Sequence, residues 1–390
     1  MPIAAPLQAL PPIDAEPEGR LTGVQLVPGL DSGGAERSTL EIAAALARAG
    51  HRSFVVSGGG RLVEQLEHEG SRHIKVPIGN KRPWTLRHIS TLRRMFDTLE
   101  PDVVHARSRL PAWLAWLAMR RMPLPPRFVT TVHGLNSPGR YSGILLRGER
   151  VICVSDTVRQ WVDQHYADVD RDKLVVIPRG VDPAAFPRGH RPSAEWRAAI
   201  ERRHPALAGV PVLLLPARGT RLKNHADAIE ALARLREAHG VEAGLWLLGA
   251  RDPERAAYVA ELEALAAKRG VAARVAITEP RSDIVDAYGM AAVVLQVSNK
   301  PESFGRTVVE ALSVGVPVAG YAHGGVGELL RELMPAGAVP LGDVEALVAV
   351  VAQWLRQPPE VPSPARYDLA RMQEATLALY AEIVEAWPDD

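Results

Sequence analysis

One pattern limits the fold more than any other feature. From Leu21 the chain repeats a short apolar run, a glycine-rich turn and a segment with helical apolar spacing. Gly23–Val27 reads as a strand, Gly29-Leu30-Asp31-Ser32-Gly33-Gly34 breaks it, and Ala35–Ala49 has helical periodicity closed by Gly50. Strand-like runs return at Ser53–Val56, Val103-Val104, Phe128–Val132, Val151–Val154 and Leu174–Ile177. The series restarts at Val212–Leu215 and continues at Leu245–Leu248, Val275–Ile277, Val293–Val297 and Val316–Ala319, with helices such as Ala226–Ala238 between. Strands alternating with helices build parallel sheets from βαβ units. Two such series predict two doubly wound domains, joined in the turn-rich stretch from Gly180 to about Pro211. Arg366–Trp387 reads as one long helix after a proline-rich break at Pro358–Pro364.

At 390 residues, 47% hydrophobic and 23% charged, the chain is long enough for two sizeable cores and is ordinary for a globular protein. No run approaches the roughly 18 apolar residues of a membrane span, so any membrane contact is expected to be peripheral. Residues 1–20 hold several prolines and the acids Asp14, Glu16 and Glu18, without a basic start or long apolar run, and read as a loose leader rather than a secretory signal. The single cysteine, Cys153, has no partner in the chain, sits in an apolar run and fits a core position in a reducing cytoplasm. The net charge of +1 is uneven: residues 1–184 hold 24 Lys+Arg against 19 Asp+Glu, residues 185–390 hold 22 against 26. An anionic partner therefore belongs with the first half.

Ligands of open α/β sheets bind beyond the carboxyl ends of the strands, so the loops there are where chemistry is expected. Gly33-Gly34 opens the first helix, where free amides favour phosphate, although the GxGxxG spacing of a dinucleotide fold is missing. Ala217-Arg218-Gly219-Thr220-Arg221-Leu222-Lys223 places two cations, Arg218 and Lys223, where they can converge on a diphosphate. Pro301-Glu302-Ser303-Phe304-Gly305-Arg306-Thr307-Val308-Val309-Glu310 sets two carboxylates astride a helix start, up to roughly 12 Å apart at 1.5 Å per residue, a span suited to two ends of one extended ligand. His133, in Thr131-Val132-His133-Gly134, stands at a strand end. Asp168, Asp170 and Asp172 have metal-like spacing, but Lys173 and Arg179 occupy the places where a calcium loop needs Gly and Glu, and the triplet reads as a solvated turn.

With these residues in view the chain resembles the family-4 glycosyltransferases of the GT-B superfamily, from Leu21 to Trp387. The matching pieces are Gly33 to Glu36, His133-Gly134, Val154-Ser155, Ile177 to Asp182, the Arg218 and Lys223 pair, Leu248-Gly249, Glu302 to Glu310, and Gly324-Gly325 with Glu328. Arg179 departs from the family, which has asparagine there. The resemblance implies an α/β, GT-B fold of two Rossmann-like parallel-sheet domains facing a cleft: residues 21–182 for the acceptor, 183–365 for the nucleotide sugar, and a helix in 366–390 closing back on the first domain. It implies a retaining transferase that moves a hexose-type sugar from a nucleotide diphosphate sugar to a saccharide or lipid-linked acceptor, in bacterial lipopolysaccharide or surface polysaccharide synthesis, with no metal and no cofactor. Glu310 would bind the ribose hydroxyls, and Glu302 with the backbone of Ser303, Phe304 and Gly305 the sugar. Arg218, Lys223 and the amide of Gly34 would receive the diphosphate, with Gly33 beside it. His133 would touch the sugar, and the base would stack near Glu279 and Pro280. The alternatives are a GT-B sugar-nucleotide epimerase, an NAD-dependent oxidoreductase and a binding protein without activity.

Residues 71–96 add a partner expectation. They hold Arg72, Lys75, Lys81, Arg82, Arg87, Arg93 and Arg94 and no acid. The latter part predicts a helix with Leu86, Ile89, Leu92 and Phe96 toward the core and Arg87, Arg93 and Arg94 outward. With Trp84 beside Pro83, this face suits the cytoplasmic side of an inner membrane.

Overall fold

Residues 19–31 and 33–386 are described by a computed structural model. The leader expected over residues 1–20 lies, for residues 1–18, outside the described residues. Among those described, thirteen strands fall into two sheets. The first contains β1 (Thr22–Leu26), β2 (Arg52–Ser57), β3 (Arg72–Lys75), β4 (Val103–Ala106), β5 (Arg127–Val132), β6 (Arg150–Cys153) and β7 (Leu174–Val176), in the order β3-β2-β1-β4-β5-β6-β7. The second contains β8 (Val212–Pro216), β9 (Gly244–Leu248), β10 (Val275–Thr278), β11 (Val293–Gln296), β12 (Val318–Tyr321) and β13 (Ala338–Val339), in the order β10-β9-β8-β11-β12-β13. Pairing is parallel, as at Leu214 with Trp246 and Val294 with Val318. The central strands are buried along almost their whole length, which is why they read as continuous apolar runs rather than alternating ones.

Each order reverses direction once, between β1 and β4 in the first sheet and between β8 and β11 in the second. Helices leaving the two strands at such a point diverge, and a crevice opens at their carboxyl ends. The motifs at residues 217–223 and 301–310 follow β8 and β11, so both sit at the reversal of the second sheet.

The chain separates into two compact units, Met1–Val129 with Tyr380–Asp390, and Thr130–Leu379. In the first, Tyr380 of the C-terminal helix (Leu369–Glu385) reaches His105 of β4, its hydroxyl 2.5 Å from Nδ1. In the second, Val181 bridges Asp368, and the N–H of Val181 donates to Tyr367 O at 2.9 Å. Cys153 is buried on β6, and burial pushes its thiol up to about 12, so it packs as an apolar residue.

Five local expectations change. β3 was not expected: its four residues are only partly buried, at the sheet edge, so their pattern lacks a strand's apolar run; nor was β13, whose two residues are too few to form one. The strand expected from Val316 begins at Val318, and the last helix begins at Leu369 after a 3-10 turn over Ala365–Tyr367. In the basic stretch Pro83–Arg87 forms a 3-10 turn and the α-helix spans His88–Leu99. The change of period alters the phase, so Thr85 and His88 are buried while Leu86, expected toward the core, is 57% exposed. Arg87 and Arg94 do point outward, whereas Arg93 donates to Arg121 O at 3.0 Å.

Candidate active site

Three loops meet at the reversal of the second sheet. After β8 the chain makes a 3-10 turn, Arg221–Lys223, and enters the helix His225–His239 through Asn224 in the left-handed region (φ 53°), a conformation asparagine tolerates. Two bonds from Asn299, after β11, fix that turn: its N–H donates to Leu222 O at 3.0 Å and its amide to Arg221 O at 3.1 Å. Below, the buried ring of His225 places Nε2 3.4 Å from Ala217 O and Nδ1 3.5 Å from the Tyr258 hydroxyl. Burial first, then the charge of Lys223, lowers its pKa to about 4, so it is neutral at physiological pH. At Gly219 a side chain is excluded, because a Cβ would stand 2.0 Å from Ala250 O in the loop after β9.

Lys223 is thereby aimed at Glu302, with Nζ 2.7 Å from Oε1. The hydroxyl of Ser298, two residues beyond β11, donates to the same carboxylate oxygen. From the third loop, after β12, His323 Nε2 lies 2.7 Å from Ser298 O, and the N–H of Gly325 donates to Glu302 O at 2.7 Å. A Cβ on Gly325 would fall 2.5 Å from Phe304 Cα, so glycine is required for the two loops to nest.

The helix Arg306–Val314 starts after Gly305 and carries Glu310. Glu302 lies before this helix and Glu310 within it, so the carboxylates straddle its start. Glu310 is buried, accepts the Tyr288 hydroxyl at 2.8 Å and lies 3.5 Å from Arg306 Nε. Arg306 also donates to Gly180 O at 3.0 Å. Phe304 packs near Tyr367, ring centroids 5.8 Å apart, and Ser303 O accepts the Ser155 hydroxyl. Glu328 accepts from Thr157 N–H and Oγ1 at 2.8 Å each, capping the helix Asp156–His165.

Of the residues expected from sequence, Lys223 and Glu302 are in contact, Ser303, Phe304 and Gly305 follow Glu302 directly, and Glu310 lies on the helix that begins after them. Arg218 is exposed on the loop after β8. Glu279 and Pro280, directly after β10, are exposed, and His133, directly after β5, is half-buried. Gly33 and Gly34 belong to the other compact unit, where Gly33 caps the helix Gly34–Arg48. Buried Arg179 donates to Ile177 O at 3.2 Å. Asp168, Asp170 and Asp172 are exposed, and Asp170 accepts the N–H of Asp172 within a turn. Among the described residues no group of three His, Cys, Asp or Glu is placed to hold a metal ion. Sequence reasoning missed Ser298, Tyr288 and His323. Only Ser298 and His323 carried a signal, their position just after strands.

Two doubly wound sheets, with charged side chains converging at the reversal of the second, match the GT-B class of glycosyltransferase structures. The pattern described as Glycosyltransferase Family 4 matches residues 32–185, and that described as Glycosyl transferases group 1 matches residues 197–370. A glycosyltransferase from Rickettsia africae superposes with a TM-score of 0.81 at 28% identity, covering 94% of this chain and 100% of that one. The Anabaena protein HepE, crystallised with UDP and glucose, superposes at 0.77 with 19% identity, covering 93% of this chain and 100% of that one. The D-inositol 3-phosphate glycosyltransferase of Xylanimonas cellulosilytica is 31% identical over 273 residues, 64% of each chain. The aligned part thus spans a little under two thirds of that relative, and 60% of its Geodermatophilus obscurus counterpart. This chain belongs to family 4 of the GT-B glycosyltransferases.

Proposed function

We propose that this protein transfers a hexose-type sugar from a nucleotide diphosphate sugar to an acceptor hydroxyl, with retention at the anomeric carbon and without a metal ion. The observation that carries the reading is the Lys223–Glu302 contact at the reversal of the second sheet, beside exposed Arg218. Breaking a sugar–phosphate bond builds negative charge on the leaving diphosphate and positive charge on the anomeric carbon. Arg218 and Lys223 are the cations for the first. Glu302 and the backbone of residues 303–305 hold the sugar, His133 touches it, Glu310 takes the ribose hydroxyls, and Glu279-Pro280 borders the base. Glu302 and Glu310, held by Lys223 and Tyr288, are assigned to donor hydroxyls, and no other carboxylate of the cluster is assigned as a covalent nucleophile. A diphosphate oxygen therefore takes the acceptor's proton as the acceptor attacks from the leaving-group face.

The acceptor is a hydroxyl compound bearing negative charge. Relatives are named for D-inositol 3-phosphate, and the first half of this chain carries the basic excess. Phosphorylated or lipid-linked saccharides of bacterial lipopolysaccharide and surface polysaccharide meet the same requirement. The test is thermal stabilisation and slow hydrolysis across UDP, GDP and ADP sugars, with and without a chelator. One donor standing out, unaffected by chelation, supports the reading. No stabilisation by any of them, or turnover restored only by magnesium or manganese, refutes it.

A second observation favours a peripheral membrane location. Trp84 is 53% exposed with the Arg82 guanidinium 5.1 Å over its ring, beside exposed Lys81, Leu86 and Arg87. No described helix is long and apolar enough to cross a membrane. Each basic residue near an anionic surface contributes about 1 kcal/mol, enough for reversible attachment by three or four. Changing Lys81, Arg82 and Arg87 to Glu should abolish salt-sensitive binding to anionic vesicles while donor binding persists; equal binding to neutral vesicles overturns the location.

A further inference from the structure

The two charges that meet at 2.7 Å have, under the reading above, different duties: Lys223 faces the diphosphate and Glu302 the sugar. An anion drawn to Lys223 must therefore approach within a few ångströms of the Glu302 carboxylate. Both side chains are about three-quarters buried, at 25% and 23% exposure, so water screens that repulsion only in part. Glu302 is also held in place: Ser298 donates to its Oε1, and Gly325 N–H fixes its carbonyl at 2.7 Å. The backbone is thus anchored, and the carboxylate cannot swing away without breaking the Ser298 bond.

The intact donor and the spent nucleoside diphosphate meet this carboxylate differently. The donor's second phosphate is esterified to the sugar and carries a single negative charge, and its sugar hydroxyls donate to Glu302 in place of the Lys223 ammonium. The product has lost those hydroxyls and has a terminal phosphate that gains a further negative charge near pH 6. It can reach Lys223 only by taking that ammonium from Glu302, which then keeps the Ser298 hydroxyl alone as donor and lies beside a more anionic group.

We infer that Glu302 discriminates against the product as well as holding the donor: the Lys223–Glu302 pair admits a nucleotide sugar and ejects the nucleoside diphosphate after transfer. Specificity of this kind is set by a repulsive element as much as by an attractive one. In many enzymes product release limits turnover, so the pair acts on the whole cycle. The inference rests on the donor reading of Lys223 and Glu302, and one set of measurements separates the two.

The experiment is calorimetric binding at pH 8 of whichever of UDP, GDP or ADP stabilises the wild type most, of its sugar conjugate, and of inorganic pyrophosphate. Glu302→Gln should bind the nucleoside diphosphate and pyrophosphate about tenfold more tightly, the order expected when one partly screened like-charge contact is relieved, with no gain for the sugar conjugate. Glu302→Asp keeps the charge and should keep product binding weak even as transfer slows, which excludes a mere folding defect. Unchanged or weaker product binding in Glu302→Gln overturns the inference while leaving the donor reading in place. If Lys223→Met binds pyrophosphate and the nucleoside diphosphate as the wild type does, the donor reading itself falls.

Discussion

The two sheets reverse their strand order in the same way, yet the two reversals are furnished in opposite styles. Between β1 and β4 the strand-end cation is Arg107, 2% exposed, turned inward to donate from Nε to Gln25 Oε1 at 2.7 Å. Burial makes its charge harder to hold, offset by Tyr380 and Glu41. The loops above it lock backbone to backbone: Leu30 N–H donates to Gly59 O at 2.9 Å, and Leu62 N–H to Leu30 O at 2.8 Å. Between β8 and β11, Lys223 and Glu302 remain part-exposed and Arg218 faces solvent. One topology thus supplies a crevice twice, and the side chains of the strand-end loops decide whether its charge serves the core or a ligand.

The sharpest test of that contrast exchanges a cation for a neutral residue on each side. Arg218→Ala and Lys223→Ala should each lower kcat/KM by about 10²–10³-fold, roughly 3–4 kcal/mol of transition-state stabilisation, with denaturation midpoints near wild type. Arg107→Met should do the reverse, costing on the order of 3 kcal/mol of stability by stranding its buried partners and leaving nucleotide-sugar affinity unaltered in whatever remains folded. Activity loss from Arg107→Met without loss of stability would break the comparison.

A second test uses pH. His225 lies under the Arg218–Lys223 loop with its pKa depressed from 6.5 to about 4, mainly by burial. Between those values the unfolded chain binds a proton that the folded protein refuses. Stability from this residue is therefore full above pH 6.5, declines as pH falls through that window, and levels off below about 4, a change of about 3 kcal/mol. Denaturant titrations from pH 7.5 to 4 should show this slope, to which His51, His73, His88 and His204, also lowered by burial, add, and His225→Gln should make it shallower. A slope unchanged by the substitution assigns it elsewhere.

The smallest effect concerns loop nesting. Gly219→Ala brings a methyl within 2.0 Å of Ala250 O and should cost about 1–3 kcal/mol as the loop shifts, raising donor KM. Gly34→Ala meets no protein atom within 4 Å and lies in a helix, so the fold should keep its stability. If the two substitutions cost the same stability, the second sheet's loops are less constrained than their contacts indicate.

Most strands were legible because a parallel sheet covered on both faces demands unbroken apolar runs, as in β8 and β9, whose residues are almost all buried. β3 escaped because an edge strand of Arg-His-Ile-Lys satisfies only part of that demand. The phase error at Leu86 arose where a 3-10 turn precedes the α-helix, since a change from three to 3.6 residues per turn leaves no mark in a short polar stretch. In the site, Glu302 and Glu310 could be read as a pair because seven intervening residues and a helix start set their relation locally.

What the sequence determined alone is whatever short-range periodicity dictates: two βαβ series, the loops that must lie at strand ends, and two carboxylates astride one helix. What only the tertiary structure decided is who meets whom. Tyr288 reaches Glu310 from another helix, Lys223 meets Glu302 across 79 residues of chain, and Ser298 and His323 join strand-end loops into one support. Such contacts follow from strand order, because β8 and β11 become neighbours only when the sheet has chosen where to reverse. No local pattern encodes that choice; it is made by the packing of the whole sheet.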